Sequence, residues 1–113
     1  MLDLVHIDAA RFEASAEAAA RLLRALANER RLMILCRLAD GELSVGELQP
    51  LVGLSQSALS QHLAVLREQD IVATRREGQT IRYRIADPAA IRVVRTLSEI
   101  FCPSPKEFPC PPA

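Results

Sequence analysis

Apolar residues recur at helical spacing from Asp8 to about Ala27, in an alanine-rich stretch closing on Arg21-Leu-Leu-Arg-Ala-Leu-Ala27. That pattern predicts an amphipathic first helix. Asn28 is a good N-cap for a second helix, Glu29 to about Ala39, with Leu32, Leu35, Cys36 and Ala39 on one apolar face before Asp40-Gly41 stops it. Ser44-Val-Gly-Glu47 has the spacing of a capping box, in which hydroxyl and carboxylate each satisfy a free amide of the other residue. It opens a short third helix to about Val52. The last turn of that helix is expected to be distorted, because Pro50 faces the carbonyl of Gly46. Gly53 breaks the chain, and Ser55 caps a fourth helix from Gln56 to about Gln69.

After Asp70 the period changes to two. Ile71–Arg76 and Thr80–Ile85 alternate apolar and polar residues, are rich in β-branched side chains, and are joined by Glu77-Gly-Gln79. This reads as a β-hairpin. Asp87-Pro88 then supplies a cap and a first-turn proline for a last helix, Ala89 to about Phe101, which turns Ile91, Val94, Leu97 and Phe101 or their neighbours inward. From Pro103 onward lie five of the seven prolines, Pro103, Pro105, Pro109, Pro111 and Pro112, and an extended or disordered tail is expected.

The order helix, helix, helix-turn-helix, hairpin, helix predicts a mainly α chain with a two-stranded β-wing, a winged helix-turn-helix. Residues 1–102 are expected to form this winged helix-turn-helix and dimerisation domain, and 103–113 a proline-rich tail. The first and last helices are more apolar than one small core can absorb, which points to a homodimer formed through them.

Composition narrows the class. The 113 residues suffice for one domain, and with half of them hydrophobic, 4% aromatic and no Trp, the core must be aliphatic. No apolar run approaches the ~20 residues of a membrane helix. The acidic start Met1-Leu-Asp-Leu-Val-His-Ile-Asp8 lacks the features of a signal peptide, so a cytoplasmic, non-membrane protein is expected. Cys36, Cys102 and Cys110 are too few and scattered for a secreted disulfide framework, and no C-x-x-C exists to run a thiol enzyme. The formal net charge is zero, yet Lys106 is the single lysine. The arginines gather between Arg21 and Arg37 and again at Arg75, Arg76, Arg82 and Arg84. Arginine suits bidentate contact with phosphate and guanine, so placement says more than balance.

The fourth helix carries the functional signal. Ala58, Leu59, Leu63 and Leu66 can pack inward, while Gln56, Ser57, Ser60, Gln61 and partly His62 face out. Solvated helix faces usually carry Lys and Glu; a short, uncharged, hydrogen-bonding face suits a major groove, with phosphates at the helix N-terminus. Candidate contacts with double-stranded DNA are therefore Ser44, Ser55, Gln56, Ser57, Ser60, Gln61 and His62, joined on the hairpin by Arg75, Arg76, Gln79 and Arg82. A charged edge strand guarding against aggregation is the bland alternative for the hairpin arginines. A winged helix that binds protein rather than DNA is the bland alternative for the whole.

The segments Ala27-Asn-Glu-Arg-Arg-Leu-Met-Ile-Leu35, Glu42-Leu-Ser-Val-Gly-Glu-Leu48 and Leu54-Ser-Gln-Ser-Ala-Leu-Ser-Gln-His-Leu63, with Tyr83, resemble the ArsR/SmtB family of bacterial repressors. The resemblance spans about Ala16 to Cys102. It implies a dimer built on the first and last helices that binds an inverted-repeat operator and releases it on a chemical signal. Ser44 and Gly46 stand where the metal-sensing pattern carries Cys, the last helix has no His, and His6 and His62 lack ligand spacing. No metal or other cofactor is expected, and a metal- or ligand-responsive repressor would need a non-standard site. Cys36 in Ile34-Leu-Cys-Arg37 and Cys102 in Ile100-Phe-Cys102 resemble the sulfide- and persulfide-responsive branch of the family. That resemblance implies redox sensing by a disulfide or polysulfide bridge between the two; an activator that displaces a silencer is the alternative role within the branch. Neither cysteine has a cationic neighbour one helical turn away, so activation of the thiols must come from the folded surroundings.

Overall fold

The computed structural model describes residues 7–101. His6, Cys102, Cys110 and the expected proline-rich tail lie outside the described residues. The elements run α1 (Ala9–Leu26), α2 (Glu29–Leu38), β1 (Leu43–Ser44), α3 (Val45–Val52), α4 (Gln56–Glu68), β2 (Val72–Glu77), β3 (Thr80–Ile85) and α5 (Pro88–Phe101). The fold is the winged helix-turn-helix, mostly helical with a small antiparallel wing.

Each helix begins where a short polar side chain can take up free amides. Asp8 accepts from the amide of Arg11 at 3.2 Å, and Asn28 accepts from Arg30 and Arg31 at 2.9 and 3.1 Å. At α3 the capping box is complete: the Ser44 hydroxyl accepts from the Glu47 amide at 3.2 Å, and the Glu47 carboxylate accepts from the Ser44 amide at 2.9 Å. Ser55 accepts from Ala58 at 3.1 Å to start α4. At α5 the side chain of Asp87 accepts from Ala89 at 2.9 Å, with Pro88 in the first turn, where its missing amide has no partner to lose.

Two residues with left-handed backbone bracket the recognition region. Gly53 (φ +67°) ends α3, its amide donating to the Gln49 carbonyl at 3.0 Å. Asp70 (φ 60°) turns the chain from α4 into β2, and Asp is among the few non-glycine residues that tolerate this conformation. The core gathers Ala25, Leu26, Ile34, Leu35, Leu38, Leu48, Leu59, Leu63, Leu66, Ile71, Val72, Ile85, Ala90 and Val94. It is wholly aliphatic.

Several local expectations are corrected. The wing has a third strand: the sheet order is β1-β3-β2, with Leu43 opposite Tyr83 and Ser44 opposite Arg82. Two residues are too few to show a period in sequence. Glu77 belongs to β2 opposite Thr80, so the turn is Gly78-Gln79, with Gly78 at φ +65°. Helix α3 runs through Pro50 to Val52 without a break; Gly46 and Pro50 are both exposed, so water can take the carbonyl that Pro50 leaves without a donor. Cys36 is exposed, and the buried stripe of α2 is Ile34, Leu35 and Leu38. Phe101 is 75% exposed rather than inward, because α5 is fully buried only at Ala90 and Val94 and its last turn projects past the core.

Leu35→Ala should lower unfolding free energy by about 3 kcal/mol, and Asn28→Ala by about 1 kcal/mol. Urea titration at fixed protein concentration reads both; equal costs would mean that the core is not centred on α2.

Candidate nucleic-acid interface

Helix α4 divides along its length. Leu59, Leu63 and Leu66 are buried on one side. On the other, Gln56, Ser57, Ser60 and Gln61 are exposed, and exposed Ala64 extends the same stripe without adding bulk. These positions lie three and four apart, so their side chains form a single ridge. The ridge offers hydroxyls and amides, which both donate and accept, and it carries no charge. Ser55 sits at the N-terminus of α4, where free amides and the helix dipole favour an anion such as phosphate.

His62 is half-buried at the edge of the ridge. Burial first, then the positive fields of Arg31 and Arg30, hold its imidazole below the ordinary histidine pKa. The start of α2 therefore lies beside the reading helix and contributes cations there, which the sequence reading did not connect with His62.

The wing differs from expectation. Arg75 and Arg82 lie directly opposite each other across β2 and β3, a placement of like charges that would destabilise the pair alone. Carboxylates answer them. Arg75 donates from Nε to both oxygens of Glu42 at 3.0 and 3.1 Å and from Nη2 to Glu42 Oε1 at 2.7 Å. Arg82 donates from Nε to Glu77 at 2.8 Å and from Nη1 to Glu47 Oε1 at 3.0 Å. That same Glu47 oxygen closes the capping box of α3, so one atom joins the wing to the helix-turn-helix.

The hydrogen bond from Arg75 holds Glu42 below the usual carboxylate range, the Ser44 amide does so for Glu47, and the Arg82 hydrogen bond for Glu77. Both arginines are shifted upward in turn. Arg84 shares the sheet face of Arg75 and Arg82, whereas Arg76 pairs with Ile81 on the opposite face; neither forms an ion pair with a described residue. Gln79 is exposed in the turn. The hairpin arginines are thus two paired and two open, on two faces, instead of one free patch. Ser44 is half-buried, with its hydroxyl engaged in the cap.

Cys36 opens into an apolar groove between α2 and α5, lined by Leu32, Met33, Val94, Leu97, Ser98 and Phe101. Phe101 immediately precedes Cys102 in sequence. Among the described residues no group of three or more His, Cys, Asp and Glu comes together to hold a metal ion, and no helix is long and apolar enough to cross a membrane.

A two-faced reading helix, a capped helix before it and a hairpin tied to both define a winged helix-turn-helix regulator. Residues 28–74 match the bacterial regulatory protein, arsR family. The chain is 47% identical over 106 residues to the biofilm growth-associated repressor of Agrobacterium fabrum, covering 94% of this chain and 90% of that protein. It is 53% identical over 81 residues to the transcriptional activator HlyU of Vibrio cholerae, covering 72% and 75%. The crystal structure of the transcriptional repressor BigR from Xylella fastidiosa superposes with a TM-score of 0.80 at 44% identity, covering 85% of this chain and 98% of that one. The chain belongs to the ArsR family of transcriptional regulators, a family of DNA-binding proteins and not of enzymes.

The three paired glutamates set an acid limit on the wing. Their pKa values are lower folded than unfolded, so their contribution is full above the unfolded values and is lost as pH falls through the folded ones. Protection factors of the β2 and β3 amides should fall below about pH 4 while those of α2 hold, and Glu42→Gln should flatten that fall. An unchanged profile would show that the ion pairs do not hold the wing.

Proposed function

We propose that the chain is a cytoplasmic homodimeric repressor that reads an inverted-repeat operator with the α4 ridge and is switched by a cysteine pair. The observation that carries DNA reading is the uncharged, exposed stripe Gln56, Ser57, Ser60 and Gln61 backed by buried leucines. Base edges in the major groove present donors and acceptors that such side chains match, whereas charges there would have to be stripped of water. Ser55, His62, Arg76 and Gln79 border the duplex, and Arg75 and Arg82 reach it only by exchanging their glutamates for phosphate.

Dimerisation is supported by apolar side chains left in solvent on the outer helices: Phe12 and Leu23 of α1 at 52% and 56% exposure, Ile100 and Phe101 of α5 at 61% and 75%. A concave surface on α5 lined by Ala89, Arg92, Val93, Thr96 and Leu97 lies along the same helix. Two copies joined there present two ridges, which calls for a two-fold symmetric site.

For the switch, the support is an exposed Cys36 in a groove whose far wall, Phe101, adjoins Cys102. With a low-molecular-weight persulfide as oxidant, two thiols form a disulfide while the persulfide S–S bond breaks to a thiol and hydrogen sulfide. Two electrons and two protons pass from the cysteines to the donor. A link between α2 and the end of α5 would bias how the reading head sits on the dimer. The relative named an activator favours a second role, in which the same DNA binding displaces a silencer.

Wild-type protein should select a palindromic duplex from a random pool. Ser57→Ala and Gln61→Ala should each weaken it about tenfold or more while leaving the salt dependence unchanged, because neither side chain is charged. Retained affinity in both would sink the ridge as the reader. Leu23→Glu should shift sedimentation to the monomer. Persulfide treatment should yield a Cys36–Cys102 linked peptide by mass spectrometry and weaken operator binding in wild type but not in Cys36→Ser; a response surviving in Cys36→Ser would remove that cysteine from the switch.

A further inference from the structure

The chain has 14 basic and 14 acidic residues, but the two signs are unevenly placed. On the wing Arg75 and Arg82 are matched by carboxylates, whereas the arginines at the junction of α1, α2 and α4 are not. A groove of ≈ 200 Å³ there is lined by Arg21, Arg24, Ala25, Arg31, Val65 and Gln69, with no carboxylate on its wall. None of the three arginines forms an ion pair with a described residue. Arg21 and Arg24 are three apart on α1, so two like charges share a helix face.

Arg31 is half-buried and anchored from behind, its Nε donating to the Ala25 carbonyl at 2.6 Å. Its two Nη groups have no partner among the described residues, leaving part of a fixed planar fork available. Asp87 lines an adjoining groove with Arg21 and Gln69, but its carboxylate takes the Ala89 amide at the start of α5 and makes no ion pair with Arg21. Three guanidinium groups line one groove with no carboxylate on its wall, and a multivalent anion seated among them would offset their like charge. Planar nitrogen pairs match the oxygens of a phosphate, and the apolar Ala25 and Val65 beside them lower the local dielectric.

We propose that the Arg21–Arg24–Arg31 groove is a phosphate-binding site, distinct from the reading ridge. Gln69 adds an amide donor from α4. Val65, on the groove wall, lies about one helical turn beyond His62 on α4. The phosphate has two sources: the backbone of a duplex longer than the core operator, or a free phosphate-type anion. The first rests on the DNA-binding reading above; the second does not.

Inorganic phosphate is titrated into full-length wild-type protein at constant ionic strength, following the arginine Nε–H and Gln69 amide resonances. Saturating shifts confined to Arg21, Arg24, Arg31 and Gln69, lost in Arg24→Gln and kept in Arg11→Gln, are expected. In parallel, binding to the selected core duplex is compared with binding to the same duplex extended at both ends. If the source is DNA backbone, Arg24→Gln lowers the salt slope on the extended duplex by about 1 and its affinity several-fold, with the core duplex unaffected. If the source is a free anion, the shifts saturate and both slopes stay unchanged. Absence of saturating shifts together with unchanged slopes overturns the site. Failure of wild-type protein to bind either duplex defeats the DNA-binding reading and leaves the phosphate titration to decide this one.

Discussion

Everything on the DNA-facing side of this protein depends on α4 being able to bury one side completely. Leu59, Leu63 and Leu66 fall at intervals of four and three, and all three are closed off from solvent. Each contributes roughly 1.5–3 kcal/mol by leaving water, which fixes the rotation of the helix about its own axis. The opposite stripe is thereby fixed too. A helix held this firmly can carry Ser and Gln outward, residues that add little helix propensity of their own. The left-handed Gly53 before it and Asp70 after it set the direction from which the chain enters and leaves, so neither end is free to rotate the ridge away.

The second organising feature is electrostatic. A formal net charge of zero looks unpromising for a protein that meets a polyanion, and the wing shows how the balance arises locally. Arg75 holds Glu42, and Arg82 holds both Glu77 and Glu47, with Nε and a terminal nitrogen of each arginine engaged. Exposed pairs of this kind are individually weak, but they orient both guanidinium groups and remove the repulsion between them. Any phosphate at the wing competes with a carboxylate already seated there. On the proposed reading, attraction to DNA would rest on the open cations, Arg76, Arg84 and those near the start of α2, more than on a count of arginines. Because Glu47 serves both the α3 cap and Arg82, a contact that draws Arg82 away also disturbs the amide end of the helix preceding the ridge.

What could be read from the chain divides by range. The caps at Asn28, Ser44 and Ser55, the leucine stripe of α4, the hairpin and the proline start of α5 are all local, and each was legible because its cause lies within four residues. Glu42 and Arg75 stand 33 positions apart, Leu43 and Tyr83 stand further apart still, and no local pattern marks either pair. Cys36 was placed with Leu32 and Leu35 because an apolar neighbourhood in sequence suggests a buried side. On a ten-residue helix the choice among neighbouring positions turns on the tertiary angle of packing, and Ile34, Leu35 and Leu38 took the inside. The period that turns Ile91, Val94, Leu97 and Phe101 or their neighbours inward holds at Val94 and fails at Phe101, because a helical period cannot tell where the core beneath it stops.

The errors at Cys36 and Phe101 have one structural origin. The described chain covers α5 at Ala90 and Val94 but leaves Ile100 and Phe101 largely in water, and α1 likewise carries Phe12 and Leu23 outward. Large apolar side chains concentrated on the first and last helices are poorly placed for a solitary monomer. The groove holding Cys36 lies where α2, a support of the reading head, meets the part of α5 that emerges from the core. A chemical change there would fall on the boundary between the helix that supports α4 and the part of α5 left in solvent. Deep within the core, the same thiol would be shielded from reagents; on the far end of α1, it would not touch the reading head. Exposure beside an apolar groove at this junction leaves it open to reagents and next to both helices, as the proposed switch requires.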